Sequence, residues 1–171
     1  MTPAELAQPG MVAPLVRRLL GAVDPLVLYA RVADGGRAAD TAVLESADRG
    51  NHTGERSLVA VRSALRLTAD TDTVRIRPLS PNGQAALTFV RDRLPGGAMV
   101  GDEWVLTLSL PAPPENEQTR FRRPSPFDVL RLLAFGPTLI AAPNPGCHLL
   151  LGTFGYDAID YFERLPRGRP D

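Results

Sequence analysis

The sequence predicts an α+β fold in which a mostly antiparallel sheet carries packed helices. Several short segments alternate apolar and polar residues as strands do, among them residues 57–62, 65–68 and 73–77. Two other segments repeat apolar residues at helical spacing, residues 82–94 and the stretch that begins at Ser125. The strands follow one another at hairpin-like intervals, without the crossover helices that parallel pairing needs. We therefore expect antiparallel pairing.

Composition narrows the class of protein. The chain has 171 residues, of which 44% are hydrophobic and 22% charged, as in a globular protein with a sizeable core. Its 19 basic and 19 acidic residues balance, so no net field attracts nucleic acid or an anionic membrane. One cysteine and two histidines cannot assemble a zinc site. We expect a cytoplasmic protein without nucleic-acid or membrane partners, and no metal or cofactor held by this chain.

The first part of the chain, residues 1–40, is predicted to be a lead-in followed by helices. Residues 1–13 lack apolar periodicity, whereas residues 14–22 place leucines at helical spacing and predict a short helix. A second helix is expected to begin at Asp24, as an N-cap acid before a proline, and to end at a pair of glycines. A strand over residues 26–32 is the alternative.

The remainder divides into a sheet region, residues 41–110, and a C-terminal region, residues 111–171. In the first, Trp104 is expected in the core, at the start of a strand over residues 104–110. The second opens with a proline-rich connection over residues 111–123. Its predicted elements are the helix from Ser125, a strand at 148–151 that joins the same sheet as strands near 41, 57, 65, 73 and 105, and a helix at 158–164.

Residues 41–48 form an apolar run that ends in a carboxylate and a hydroxyl. In a regular strand Val43 and Glu45 face one side while Leu44 and Ser46 face the other. The two polar side chains can reach one ligand only if the strand ends or bulges at that point. Without other information this pattern is typical of a solvated strand end.

Five groups of residues, in unbroken order from residue 41 to residue 166, resemble the N-terminal part of anthranilate synthase component I, the large subunit of a chorismate-utilising enzyme. They are Leu44-Glu45-Ser46-Ala47-Asp48; Arg56-Ser57-Leu58; Ser63-Ala64-Leu65-Arg66; Phe127-Asp128 with Arg131-Leu132-Leu133; and Phe154-Gly155-Tyr156-Asp157 with Phe162-Glu163 and Leu165-Pro166. The order and intervals of the groups together carry the resemblance.

The resemblance implies an enzyme of tryptophan biosynthesis, a carbon–oxygen lyase. Such an enzyme takes ammonia from a glutamine amidotransferase partner, adds it to magnesium-bound chorismate and eliminates pyruvate to give anthranilate. In that family the chorismate and magnesium residues lie in a C-terminal domain beyond the part that this chain resembles. We therefore expect an incomplete fold, inactive alone, in which residues 41–110 are regulatory and residues 111–171 lead into the absent catalytic domain.

The resemblance also implies a feedback site for tryptophan, which acts as the inhibitor. The residues that match it are Leu44, Glu45, Ser46 and Arg56, the last standing where the family usually has Lys. A zwitterionic amino acid needs an anion for its ammonium, a donor for its carboxylate and an apolar slot for its indole. Glu45, Arg56 with Ser46, and Leu44 could supply these groups in turn.

Two alternatives stay open at this point. The same scaffold could belong to aminodeoxychorismate synthase or to a synthase of a phenazine pathway, or the chain could be truncated and without independent activity.

Two other groups of residues could suggest a functional site but are predicted to have structural roles. Residues 152–157 lack the lysine and glycine spacing of a phosphate loop, and Cys147 beside His148 is a poor nucleophile–base pair.

Overall fold

The computed structural model describes residues 10–21, 23–45, 57–70, 72–108, 124–140 and 148–161. Several sequence-based predictions therefore lie outside the described residues. These are the loop at 49–55, the end of the strand at 109–110, the connection at 111–123, a turn at 142–146 and the end of the last helix at 162–164.

Eleven helices and strands are labelled among the described residues. In chain order they are β1 Met11–Val12, α1 Pro25–Val32, β2 Ala42–Leu44, β3 Leu58–Ala60, β4 Leu65–Asp70, β5 Thr73–Pro78, α2 Pro81–Arg93, β6 Ala98–Val100, β7 Glu103–Thr107, α3 Pro126–Phe135 and β8 Thr138–Leu139. Short 3-10 turns add Asp34–Gly36 and Tyr156–Tyr161. The mixture of helices and antiparallel sheets confirms the α+β class.

The central feature is an antiparallel four-stranded sheet in the order β4-β5-β7-β6. Alternation along β5 and β7 buries one face, where Val74, Ile76, Trp104 and Leu106 lie in the core. The predicted hairpin of β4 and β5 is confirmed, with its arginines on the exposed face. Strand β6 was missed because all three of its residues are exposed at the sheet edge and show no alternation.

Helices α2 and α3 cover the buried face, and the predicted apolar face of each is confirmed. Leu87, Phe89 and Val90 of α2 join the core, together with Val129 and Leu133 of α3. The N-cap residue before each helix makes a local hydrogen bond: the Ser80 hydroxyl accepts from the Gly83 amide, and the Ser125 amide donates to Asp128. A proline follows each of these serines at the first helical position.

Gly83 lies where the first turn of α2 meets the β4–β5 hairpin. A Cβ added there would overlap the carbonyl oxygen of Ala64, which already accepts a hydrogen bond from the Leu79 amide at 2.8 Å. The obstructing oxygen belongs to the backbone, so it cannot rotate away as a flexible side chain could. Only a glycine allows the helix to start this close to the sheet.

We expect Gly83→Ala to lower the free energy of unfolding by about 1–3 kcal/mol, measured by urea denaturation. Alanine favours a helix by about 1 kcal/mol over glycine, but the overlap with a hydrogen-bonded carbonyl outweighs that gain. The matched control is Gln84→Ala, one residue further and exposed, which should change stability by less than about 0.5 kcal/mol. Equal stability of the two variants would show that α2 can move away from Ala64 at little cost.

Of the two helices predicted near the N-terminus, one is confirmed and the other is wrong. Helix α1 is confirmed and the alternative strand is wrong, because the Asp24 carboxylate caps the helix by accepting from the amides of Leu26 and Val27. The helix predicted over residues 14–22 is wrong: residues 14–21, the described part, have no helical structure. Leu15 and Leu19 are almost fully exposed there, and a helix this short needs packing to form.

Three further predictions, all about strands and their pairing, are wrong. Met11–Val12, expected to be a loose lead-in, pairs in parallel with Thr138–Leu139. The strand predicted at 148–151 is wrong, since that segment is not in a strand; His148 Nε2 instead lies 2.8 Å from the Leu133 carbonyl. The single sheet was also wrong: among the described residues the strands form one four-stranded sheet and two separate pairs, β1–β8 and β2–β3.

Candidate functional site

The candidate site lies on the two-stranded ribbon of β2 and β3. Leu44 pairs with Leu58, Val43 with Val59 and Ala42 with Ala60, all antiparallel. Strand β2 ends at Leu44, which is 55% exposed, and Glu45 follows it as an exposed residue outside the strand. The predicted strand end at this point is confirmed.

The structure places half of the predicted site residues. Leu44 and Glu45 lie at the end of the ribbon where the chain passes from β2 toward β3, whereas Ser46 and Arg56 lie outside the described residues. Leu58, which comes two residues after Arg56 in the sequence, is the cross-strand partner of Leu44. The two segments that carry the four predicted residues therefore meet the ribbon at the same end. Their joint contact with a ligand stays a prediction.

Helix α1 supports the start of β2 through a short chain of hydrogen bonds. The Thr41 hydroxyl lies 2.8 Å from the Ala38 carbonyl and 2.9 Å from the Tyr29 hydroxyl. Since a carbonyl can only accept, Thr41 donates its single proton to Ala38, and the Tyr29 hydroxyl donates to Thr41. These two hydrogen bonds hold the ribbon against α1 at Thr41, which lies three residues before Leu44.

Asp40, which precedes β2, joins the start of this strand to the four-stranded sheet. Its carboxylate accepts two hydrogen bonds from the Arg66 guanidinium, at 2.5 and 2.6 Å, and its carbonyl accepts one from the Ser63 hydroxyl at 2.6 Å. The hydrogen bonds from Arg66 hold the pKa of Asp40 below its usual value, against the opposing effect of partial burial. Sequence analysis missed this pair because its members are 26 residues apart and no local pattern links them.

A concavity of about 380 Å³ lies beside the C-terminal end of α2. Its lining consists of Thr88, Arg91, Asp92, Pro95, Gly96, Gly97 and Trp104. The lining side chains of the helix are exposed, and only Trp104 is buried. Because no buried polar group points to a ligand there, we assign it no function.

Among the residues that the structure describes, no three His, Cys, Asp or Glu side chains are grouped so that they could hold a metal ion. In the same part of the chain, no helix is both long and apolar enough to cross a bilayer.

Comparison with known proteins gives a consistent family. The chain is 36% identical over 149 residues to anthranilate synthase component 1 of Escherichia coli K12, a match that covers 84% of this chain and 28% of that protein. It is 37% identical over 146 residues to the protein of the same name from Salmonella typhimurium, with the same coverage. The anthranilate synthase of Azospirillum brasilense is 32% identical over 190 residues, covering all of this chain and 25% of that protein. No family model matches the chain.

These relatives define a class of protein, the anthranilate synthases. Over most of its length this chain is related to anthranilate synthase component I and corresponds to an N-terminal portion of it, which confirms the resemblance seen in the sequence. The chain spans about a quarter of the length of these three relatives.

Proposed function

We propose that this chain is the N-terminal regulatory portion of an anthranilate synthase component I, and that it carries the tryptophan feedback site at the Leu44–Leu58 end of the β2–β3 ribbon. The single observation that carries the proposal is the coincidence of two features. The relatives are named anthranilate synthase, and the predicted site residues Leu44 and Glu45 are both exposed at the end of β2.

The chemistry of the ribbon end suits a free amino acid. Glu45 provides an anion for the ammonium group, and the half-exposed Leu44 provides apolar surface for the indole. Ser46 and Arg56 are assigned to the ligand carboxylate from the family resemblance. Each partly buried, charge-assisted contact contributes roughly 1.5–3 kcal/mol, so losing one weakens binding by about ten- to a hundredfold.

Catalysis is proposed to take place outside this chain. In the complete enzyme, a carbon–oxygen lyase, a C-terminal domain beyond the part that this chain resembles would bind chorismate and Mg²⁺, and a glutamine amidotransferase would supply the ammonia in the cytoplasm. Large apolar side chains in the last described part of the chain support packing against that domain. Phe135, Phe154 and Tyr156 are each more than half exposed, and exposed apolar surface is typical of a face that packs against another domain.

A chimera tests this proposal. This chain would replace the segment to which it aligns in the E. coli anthranilate synthase component 1, and anthranilate formation would be measured over a range of tryptophan concentrations. We expect the chimera to be active with its amidotransferase partner and to be inhibited by tryptophan, because the effector site is carried by the grafted segment.

The control for this graft is the chimera with Glu45→Gln, which removes the anion and keeps the shape of the side chain. Its half-inhibitory tryptophan concentration should rise at least tenfold. An active chimera that tryptophan fails to inhibit, or one equally sensitive with Gln at position 45, would refute the proposed site.

A further inference from the structure

Asp40 accepts hydrogen bonds through two groups, its carboxylate and its backbone carbonyl, from residues of β4 and of the turn before it. Its carboxylate makes a two-pronged ion pair with Arg66 on β4, and its carbonyl accepts from Ser63 in the turn that precedes β4. The Asp40 side chain is 19% exposed and that of Arg66 is 40% exposed, so water screens this pair less than a fully exposed one. One residue thus links the start of the ribbon to the sheet by three short hydrogen bonds.

The backbone of Asp40 is held in an unusual conformation. Its φ of 58° lies in the left-handed region, which costs most side chains energy although aspartate tolerates it better than others. Such a conformation persists where the surroundings fix it. Here it turns the carboxylate toward Arg66 while the chain continues through Thr41 into β2.

The partner of Asp40 also needs a compensating charge. Arg66 stands directly opposite Arg77 in the register of β4 and β5, and two like charges in that position repel each other. Each arginine is compensated by an acid from outside the hairpin: Arg66 by Asp40, and Arg77 by Asp102 at 2.6 Å. Losing Asp40 would therefore leave Arg66 both without its carboxylate and against a like charge.

We propose that the Asp40–Arg66 pair is a clasp that positions the β2–β3 ribbon on the sheet and thereby sets the geometry of the tryptophan site. The inference rests on the proposed function of the ribbon end. Asp40 precedes Leu44 by four residues, roughly 13 Å along an extended strand. The clasp therefore acts by positioning β2, and neither of its members touches the ligand.

The chain contains a closely matched control. Asp34 also has a left-handed φ, 50°, and also pairs with an arginine, Arg37 at 2.9 Å. That pair is local in sequence and well exposed, with 71% and 77% of the two side chains accessible, and it joins nothing to the sheet. Asp34→Asn and Asp40→Asn thus make the same chemical change at two residues with a left-handed φ, and only the second breaks the clasp.

The experiment measures amide hydrogen exchange on the full chain together with calorimetric titration of tryptophan. In Asp40→Asn the amides of β2 and β3 should exchange about tenfold faster while those of β5 and β7 keep their rates, and the Kd for tryptophan should rise about five- to tenfold. Asp34→Asn should change neither quantity. Arg66→Lys keeps the charge but loses the two-pronged geometry, and should give a smaller change in the same direction.

A double-mutant cycle distinguishes a clasp from two unrelated losses. Asp40→Asn combined with Arg66→Gln should accelerate exchange in β2 no more than either change alone. Additive effects, acceleration spread equally over β5 and β7, or identical behaviour of the Asp34 and Asp40 variants would each overturn the proposal. If the wild-type chain takes up no tryptophan, the proposed function of the ribbon fails, and the exchange comparison still decides whether the clasp positions β2.

Discussion

Replacing Trp104 with alanine is expected to lower the free energy of unfolding by about 3–5 kcal/mol. Trp104 is 2% exposed and is the largest of the fully buried side chains. It lies on β7 opposite Ile76 of β5, in the cluster that α2 and α3 close from the other side. A chain of this size has only about 5–15 kcal/mol of stability, so the loss is a large share of the total.

Urea denaturation followed by far-UV circular dichroism measures this loss without relying on the removed fluorophore. Met99→Ala is the control, because Met99 is the cross-strand partner of Trp104 on the edge strand β6 but is 46% exposed. It should cost less than about 1 kcal/mol. Similar losses for the two variants would mean that the sheet face above Trp104 is less closely packed than the burial indicates.

The second large effect is expected at Ser46, where phenylalanine should abolish tryptophan binding while the chain stays folded. The substitution fills a site assigned to the ligand carboxylate with a ring and removes a hydroxyl donor. Both changes act against binding, and loss of the charge-assisted contact alone weakens it by about ten- to a hundredfold. The added bulk should bring the affinity below detection.

Thr68→Phe controls for this substitution, since Thr68 is an exposed residue on β4, away from the ribbon end. It introduces the same ring on a strand surface and should leave tryptophan affinity within about twofold of the wild-type value. Tryptophan bound equally well by the Ser46 and Thr68 variants would contradict the assignment of Ser46.

The regular spacing of apolar residues allowed part of the core of this fold to be predicted from the sequence. Helix α2 and the β4–β5 hairpin have regular apolar spacing, and each buries the face that this spacing indicates. The helix expected at residues 14–22 has the same kind of spacing, but Leu15 and Leu19 are 98% and 87% exposed, and residues 14–21 are not helical. Spacing reports which face could be buried, and only the rest of the fold decides whether anything covers it.

The pairing of distant segments could not be read in the same way. Met11–Val12 meets Thr138–Leu139 across more than a hundred residues, and two-residue strands carry no alternation. The Asp40–Arg66 pair likewise depends on where the fold places the residue before β2 relative to β4. For the candidate site, the sequence predicted that β2 ends or bulges at Glu45 and Ser46, because the two polar side chains could not otherwise share a ligand, and the strand ends at Leu44. The contributions of Ser46 and Arg56 stay predictions from the family resemblance.

The proposed tryptophan site can be tested by calorimetric titration of the folded chain with tryptophan. We expect saturable binding of one tryptophan per chain, weakened at least tenfold by Glu45→Gln and lost in Ser46→Phe, with the free energy of unfolding of each variant close to that of the wild type. A folded wild-type chain that gives no saturable heat, or variants that bind as tightly as the wild type, would contradict it.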